Sequence, residues 1–184
     1  MYAALQFAIF YGRCNVFRPP LLLPKSYGET RPMTPLTFVP FTRDDLPLYA
    51  EWCEDADTLP YLGRPGEDWI DYIFGPDRGF AWFVYEGETP VGHLEIDLYE
   101  EDRTQGQVVY MTAPGMRRKG YGRRAFMQML DFPELQFITR FYAFVEPENL
   151  PSIALMEALG FQREETFPGM SHMLEYGYRR STLS

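Results

Sequence analysis

Two short stretches carry side chains whose types and spacing could do chemistry. The first, APGMRRKGYGRRAF from Ala113 to Phe126, sets Gly120 and Gly122 among Arg117, Arg118, Lys119, Arg123 and Arg124. Backbone N–H groups on the first turn of a helix lack internal partners and lie at the positive end of its dipole. A glycine turn that opens a helix can therefore hold an anion. The glycines remove side chains that would keep a phosphate away and the bases add charge around it, which points to a polyphosphate. The competing reading is a solvated loop ahead of a surface helix. Strand-like QVVYMTA before the loop, and Ala125, Phe126, Met129 and Leu130 at helical spacing after it, favour the anion site. A P-loop would end in Gly-Lys-Ser/Thr and a dinucleotide turn would read Gly-x-Gly-x-x-Gly, and the loop has neither.

The second stretch is GHLEIDLYEE. Alternation along a strand puts His93, Glu95, Asp97 and Tyr99 on one face and Leu94, Ile96 and Leu98 on the other. Neighbouring carboxylates suit proton abstraction from an amine or anchoring of an ammonium group. Glu95 is the first candidate and Asp97 the second. The same pattern is also produced by the wet side of an antiparallel sheet.

Charge narrows the partner. The 184 residues hold 26 acids and 17 bases, a formal net charge of −9. That balance disfavours a wide face reading nucleic-acid phosphates and favours a cationic small substrate. Glu51, Glu54, Asp55 and Asp57 lie near Trp52 and Tyr61, a set suited to a polycation by charge pairing and ring contact, or else a solvated helix face. Cys14 and Cys53 are too far apart in sequence for a disulfide framework or a clustered metal site, and they read as free thiols of a reducing cytoplasm. His93 and His172 have no ligand-type neighbour at metal-site spacing, so no metal is expected. The opening MYAALQFAIF is too short to span a bilayer and lacks the early charge and cleavage site of a secretory signal. The expectation is a cytoplasmic protein with no membrane or nucleic-acid partner, as a monomer or homodimer.

The elements that must position these groups alternate from Met33 onward. Residues 1–32, ending in the proline-rich RPPLLLPKSYGETRP, read as a tail or upstream extension, and residues 33–184 as one domain. LTFVPF is a strand, and Thr42 with Asp45 opens a helix through Leu46, Tyr49, Ala50 and Trp52. A short helix covers Glu67 to Phe74. FAWFVYE and TPVGHLEIDLYEE are strands joined by a turn, and QVVYMTA is a third. After the glycine loop and its helix come strand FITRFYAFVE, helix PSIALMEALG with Pro151 at its start and Gly160 at its stop, and a closing antiparallel pair, FQREETF with SHMLEYGY. This order implies an α/β fold, a mixed sheet with helices on its faces.

The sequence resembles the GCN5-related N-acetyltransferase (GNAT) superfamily. Its acyl-CoA signature, Arg/Gln-x-x-Gly-x-Gly/Ala, stands here as Arg117-Arg118-Lys119-Gly120-Tyr121-Gly122, preceded by Pro114. A second family element, an Asn ahead of a helix ending in Leu-Gly-Phe, stands as Asn149, Ser152 and Leu159-Gly160-Phe161. The resemblance covers about Leu36 to Tyr178. It implies a mostly antiparallel sheet splayed where coenzyme A enters, and transfer of an acetyl group from acetyl-CoA to an amine. It further implies that backbone groups of Met111 and Ala113 pair with the pantetheine arm and that the pyrophosphate sits on amides between Arg118 and Arg123. An N–H of Thr112 or Ala113 would polarise the thioester carbonyl, and Asn149 would reach the pantetheine unless it is only a helix cap.

One departure from the family stands out. Many members place a tyrosine seven residues after the Asn as acid for the leaving thiolate, and this chain has Met156. Ser152, Tyr110 or solvent remain as stand-ins. The stretch YAEWCEDADTLPYLGRP is loosely similar to aminoglycoside 6′-N-acetyltransferases and to the ribosomal-protein N-terminal acetyltransferases, so the acceptor is a small-molecule or peptide amine. The alternative is a GNAT-like module that senses acyl-CoA without turnover.

Overall fold

The computed structural model describes residues 35–75, 79–165 and 172–180. The tail read over residues 1–32 and the loop of the closing pair lie outside them.

Among the described residues seven strands form one sheet. They are β1 (Thr37–Pro40), β2 (Phe80–Glu86), β3 (Thr89–Leu98), β4 (Gln105–Thr112), β5 (Arg140–Val145), β6 (Gln162–Glu164) and β7 (Leu174–Arg179), in the order β1-β2-β3-β4-β5-β7-β6. Every neighbouring pair is antiparallel except β4 with β5. That parallel pair requires a crossover, which the helix after the glycine loop provides.

The helices are α1 (Leu46–Cys53), α2 (Leu59–Leu62), α3 (Glu67–Ile73), α4 (Tyr121–Met129) and α5 (Leu150–Leu159). Thr42 caps a 3-10 turn, Arg43–Asp45, that runs directly into α1, with the Thr42 N–H and hydroxyl both donating to Asp45 Oδ2 at 2.8 and 2.7 Å. The one-turn α2 falls in a stretch read as loop. Its Pro60 sits at the helix start, where a missing N–H costs nothing. The strand read from Phe137 begins only at Arg140, because Pro133–Leu135 close a 3-10 turn just before it.

Helices cover both faces. On one, Tyr121, Ala125, Phe126 and Met129 of α4 and Met156 and Leu159 of α5 pack on Leu94, Ile96, Val108, Phe141 and Ala143. On the other, Tyr49, Trp52 and Cys53 of α1 and Ile73 of α3 pack on Ala81, Phe83, Met111 and Ala113. The alternation of β3 is borne out: Leu94 and Ile96 enter the α4–α5 core, while His93 meets Phe41 and Tyr49 at ring separations of 4.8 Å each.

Candidate active site

The ladder between β4 and β5 holds three residue pairs, Gln105 with Arg140, Gly106 with Phe141 and Gln107 with Tyr142. Beyond them the two strands form no further pair among the described residues, so a wedge opens toward their C-terminal ends. Which backbone groups line it follows from the other side of β4. Tyr99 N–H donates to Gln105 C=O (3.1 Å) at one end of the β3–β4 ladder, and Ala113 N–H donates to Val91 C=O (3.0 Å) at the other. Along an antiparallel strand, N–H and C=O groups of alternate residues point to opposite edges. The groups of Gln105, Gln107, Val109, Met111 and Ala113 therefore face β3, and those of Val108, Tyr110 and Thr112 face the wedge. This corrects the expectation for Met111 and Ala113: their backbone is turned to β3 and their side chains lie in the α1–α3 core. Thr112 alone, of the three residues named there, turns its N–H to the open edge.

The loop from β4 to α4 is built by three residues in the left-handed region. Met116 N–H donates to Ala113 C=O (3.0 Å) across a turn with Pro114 second and Gly115 third, at φ +75°. Arg118 adopts φ +62°, the one positive value at a non-glycine among the described residues. Such a conformation costs about 1–2 kcal/mol and tends to be kept at functional sites. Gly120 caps α4 at φ +80°, and a Cβ there would meet nothing within 4 Å, so its outer face is open. The first helical hydrogen bond of α4 is Arg124 N–H to Gly120 C=O (3.1 Å), which leaves the amides of Tyr121, Gly122 and Arg123 without helical acceptors. An anion fits here on backbone grounds alone.

The bases divide. Arg118, Lys119 and Arg123 are exposed around these amides. Arg124 Nη1 instead donates to Glu86 Oε1 (2.8 Å), and the Tyr121 hydroxyl donates to Glu86 Oε2 (2.7 Å). Arg117 reaches back to Asp55, to Asp57 Oδ2 (3.2 Å) and to Thr58 Oγ1 (2.7 Å). Gly122 serves packing rather than phosphate access, since a Cβ there would lie 3.0 Å from Leu155 and 3.1 Å from the Tyr110 ring. Tyr110 itself points its hydroxyl at Gly92 of β3, where a Cβ would come within 2.3 Å, so this stand-in acid is aimed away from the wedge.

Across the wedge, Asn149 caps α5, its Oδ1 accepting the Ser152 N–H at 3.2 Å. The cap uses Oδ1 alone, and the side-chain Nδ2 has no acceptor among the described residues. Ser152 is half-buried on the first turn of α5, and Met156 is buried in the α4–α5 core, 6% exposed.

The carboxylates of β3 lie one strand away. Glu95 is opposite Val109 and Asp97 opposite Gln107, the last residue of β4 paired with β5. Glu95 is 2% exposed, with Asp97 and Trp69 as the neighbours that act on its carboxyl, while the Tyr72 hydroxyl donates to Asp97 Oδ1 (2.9 Å). Neighbouring carboxyl groups resist being charged together, because each charge opposes the other. Burial, then the neighbouring Asp97, pushes Glu95 well above the usual carboxylate range. Burial also raises Asp97, against the pull of its bonds to Glu95 and Tyr72. His93, enclosed by Phe41, Tyr49 and Phe83 with neither nitrogen partnered among the described residues, is pushed by burial down to about 3 and stays neutral.

Sequence reading missed Trp69 and Tyr72, although their three-residue spacing on the short helix put them on one face. Trp69 stacks on Tyr49 with centroids 4.7 Å apart and planes at 11°. Trp52, named from sequence as an acceptor contact, is 5% exposed and packs edge-on against Phe83, while Tyr61 is half-buried on α2. Glu54 is bound by Arg64, with Nη2 at 2.8 Å from Oε2. Among the described residues no cluster could hold a metal ion, and no helix is long and apolar enough to cross a membrane.

Residues 35–162 match the acetyltransferase (GNAT) domain family. The chain belongs to that family. It is an acetyl-CoA-dependent acetyltransferase, and the wedge and unpaired amides fit the cofactor such enzymes use. Among curated proteins it is similar to the uncharacterized N-acetyltransferase YfmK of Bacillus subtilis (strain 168), 26% identical over 126 residues that are 67% of this chain and 83% of YfmK. It is also similar to the alpha/beta-tubulin-N-acetyltransferase 9 of Mus musculus, 28% identical over 119 residues that are 63% of this chain and 46% of the mouse protein. Among solved structures the GNAT fold recurs in the acetyltransferase AAC(6')-Ib in complex with paromomycin and acetyl-CoA, with TM-score 0.65, 18% identity, and coverage of 79% of this chain and 94% of that one. A chimera of the spermidine N-acetyltransferase SpeG from Vibrio cholerae and hSSAT gives TM-score 0.65 at 16% identity, covering 78% and 95%.

Proposed function

We propose that the chain acetylates the primary amine of a cationic small molecule or peptide, with the Glu95–Asp97 pair as the proton acceptor. The observation that carries this reading is a pair of neighbouring carboxyl groups, buried Glu95 and half-buried Asp97, one strand from the open edge of β4 and beside two aromatic residues of α3. Acetyl-CoA supplies the thioester whose C–S bond breaks as the acceptor nitrogen forms the amide bond. The amides of Tyr121 to Arg123, with Arg118, Lys119 and Arg123 around them, hold the pyrophosphate, and Asn149 Nδ2 reaches the pantetheine from the α5 side. Thr112 N–H faces the carbonyl oxygen and stabilises the charge that develops there.

An alkyl ammonium group with a pKa of about 10.4 is almost fully protonated near neutrality, so attack requires a base. A pair whose affinity for protons is raised by burial is better matched to that task than an ordinary carboxylate. Departure of the thiolate rests on its own acidity, about pKa 8.5, with the Ser152 hydroxyl as the donor on the α5 side. The cationic acceptor is supported by the formal charge of −9 and by the neighbouring carboxyl groups of Glu95 and Asp97. It is supported too by fold relatives, described as complexed with paromomycin or as a spermidine N-acetyltransferase.

The test is thiol release from acetyl-CoA against polyamines, aminoglycosides and basic N-terminal peptides. Acceptor-dependent thiol above background supports the proposal. Coenzyme A binding with no acceptor-dependent release from any of the three classes would overturn the acceptor assignment.

A further inference from the structure

We infer that Arg117, the first residue of the acyl-CoA signature, is a positioning residue that ties the corner between α1 and α3 to the cofactor loop, rather than a ligand of the phosphates. This inference rests on the acetyltransferase reading above and assigns one of its residues a different task.

Arg117 sits between the Gly115 turn and the left-handed Arg118, so its backbone belongs to the loop that presents the amides of α4. Its side chain goes the other way. Nη2 meets Asp55 and donates to Thr58 Oγ1 (2.7 Å), and Nη1 donates to Asp57 Oδ2 (3.2 Å). One planar fork thus engages three residues about 60 positions away, a match that an ammonium group could not make. The Arg117 side chain is 29% exposed and that of Asp55 26%, so the pair is half-buried, while Asp57 is 78% exposed.

The corner is already organised to receive the fork. Asp57 N–H donates to Asp55 Oδ1 (3.0 Å), and the N–H groups of Thr58 and Leu59 both donate to Asp55 C=O (2.9 Å each). Thr58 is 6% exposed, one of four buried polar side chains among the described residues. The hydrogen bond from Arg117 lowers the proton affinity of Asp55 further below its ordinary value, as an ionic contact does. Met116, next in the chain, packs against both apolar cores and anchors the arginine's starting point.

The corner in turn leads through α2 into α3, whose Tyr72 holds Asp97 and whose Trp69 neighbours Glu95. A continuous route therefore runs from the phosphate amides through Arg117 and the Asp55–Thr58 corner to the helix over the carboxyl pair. Ordering of the loop by the cofactor stabilises the element that shapes the acceptor side. Asp55 and Asp57, read from sequence as acceptor contacts, are committed to this strut.

Hydrogen exchange of residues 55–62, with and without coenzyme A, combined with calorimetric titration of coenzyme A, tests the inference. In the unmodified chain, coenzyme A should slow exchange across the corner. Arg117→Gln should speed corner exchange about tenfold or more and remove its response to coenzyme A, while the Kd for coenzyme A stays within about threefold. Arg117→Lys, which keeps the charge without the fork, should behave like Gln. Asp55→Asn should loosen the corner from the other side with coenzyme A affinity unchanged, and it serves if the arginine variants fold poorly. A Kd raised thirtyfold or more in Arg117→Gln, with the corner exchanging at the original rate, would put Arg117 on the phosphates and overturn the strut. Absence of coenzyme A binding by the unmodified chain would sink the cofactor assignment instead, and the corner's exchange in Arg117→Gln would still decide whether the fork holds it.

Discussion

The two faces of the sheet are both covered by helices, yet they bury different things. Toward α4 and α5, strands β3 to β5 turn Leu94, Ile96, Val108, Phe141 and Ala143 into a core made of hydrocarbon and aromatic rings. Toward α1 and α3, the same β3 turns His93 and Glu95 inward at 0% and 2% exposure, among Phe41, Tyr49 and Trp69. Burying an ionisable group without a full set of partners costs several kcal/mol in the charged form. A face that exists only to hold the fold together has no need of that cost, and among the described residues the α4–α5 core holds no buried carboxyl or imidazole. The α1–α3 face is arranged for proton chemistry, and the α4–α5 face fixes the helix whose N-terminus holds the anion.

Three changes bear on this division, the largest effect first. Gly120→Asp places a carboxylate on the open side of the α4 N-terminus, at a φ that aspartate tolerates better than most residues. The fold should persist, and coenzyme A affinity should fall by more than a hundredfold in calorimetry. An unaltered heat of binding would remove the loop from the cofactor site. Gly92→Ala tests the packing side. Its Cβ would lie 2.3 Å from the Tyr110 hydroxyl and 2.9 Å from Met111 C=O, and Tyr110 is already wedged against Gly122, so the variant should lose about 1–3 kcal/mol in denaturant unfolding. Stability equal to that of the starting protein would mean that the contact relaxes freely.

The smallest effect is in pH dependence. His93 titrates near 6.5 when unfolded and only at about 3 when folded, so its neutral burial contributes stability above pH 6.5 that is lost as pH falls toward 3. Glu95 has the opposite sign: its folded proton affinity is raised, so the stability linked to it is full below its unfolded pKa and declines as pH rises through the folded one. Melting curves across pH should therefore show a shallower acid limb for His93→Leu and a shallower alkaline limb for Glu95→Gln. An acid limb of undiminished slope in His93→Leu would show that other groups control it.

Much of this was legible before any coordinates. Period-two alternation placed His93, Glu95 and Asp97 together, and helical spacing with a glycine stop placed α4 and α5. Alternation could not say whether that polar face is wet or covered, because covering it depends on α1 and α3 folding back over β3. The backbone direction of Met111, Thr112 and Ala113 was equally hidden, since it is fixed by the register with β3 and not by side-chain type. The partners of Arg117 lie about 60 residues away and leave no local trace. The family signature marked Gly122 without showing that its work is to admit Tyr110 and Leu155.

Glu95→Gln, measured for both coenzyme A affinity and acceptor-dependent thiol release, tests the assignment of proton chemistry to the α1–α3 face most directly. The expected result is turnover lower by about 10²–10⁴-fold, the range of a lost general base, with the Kd for coenzyme A changed by less than about twofold. Turnover equal to that of the unmodified enzyme would contradict it and send the search for the base to another part of the wedge.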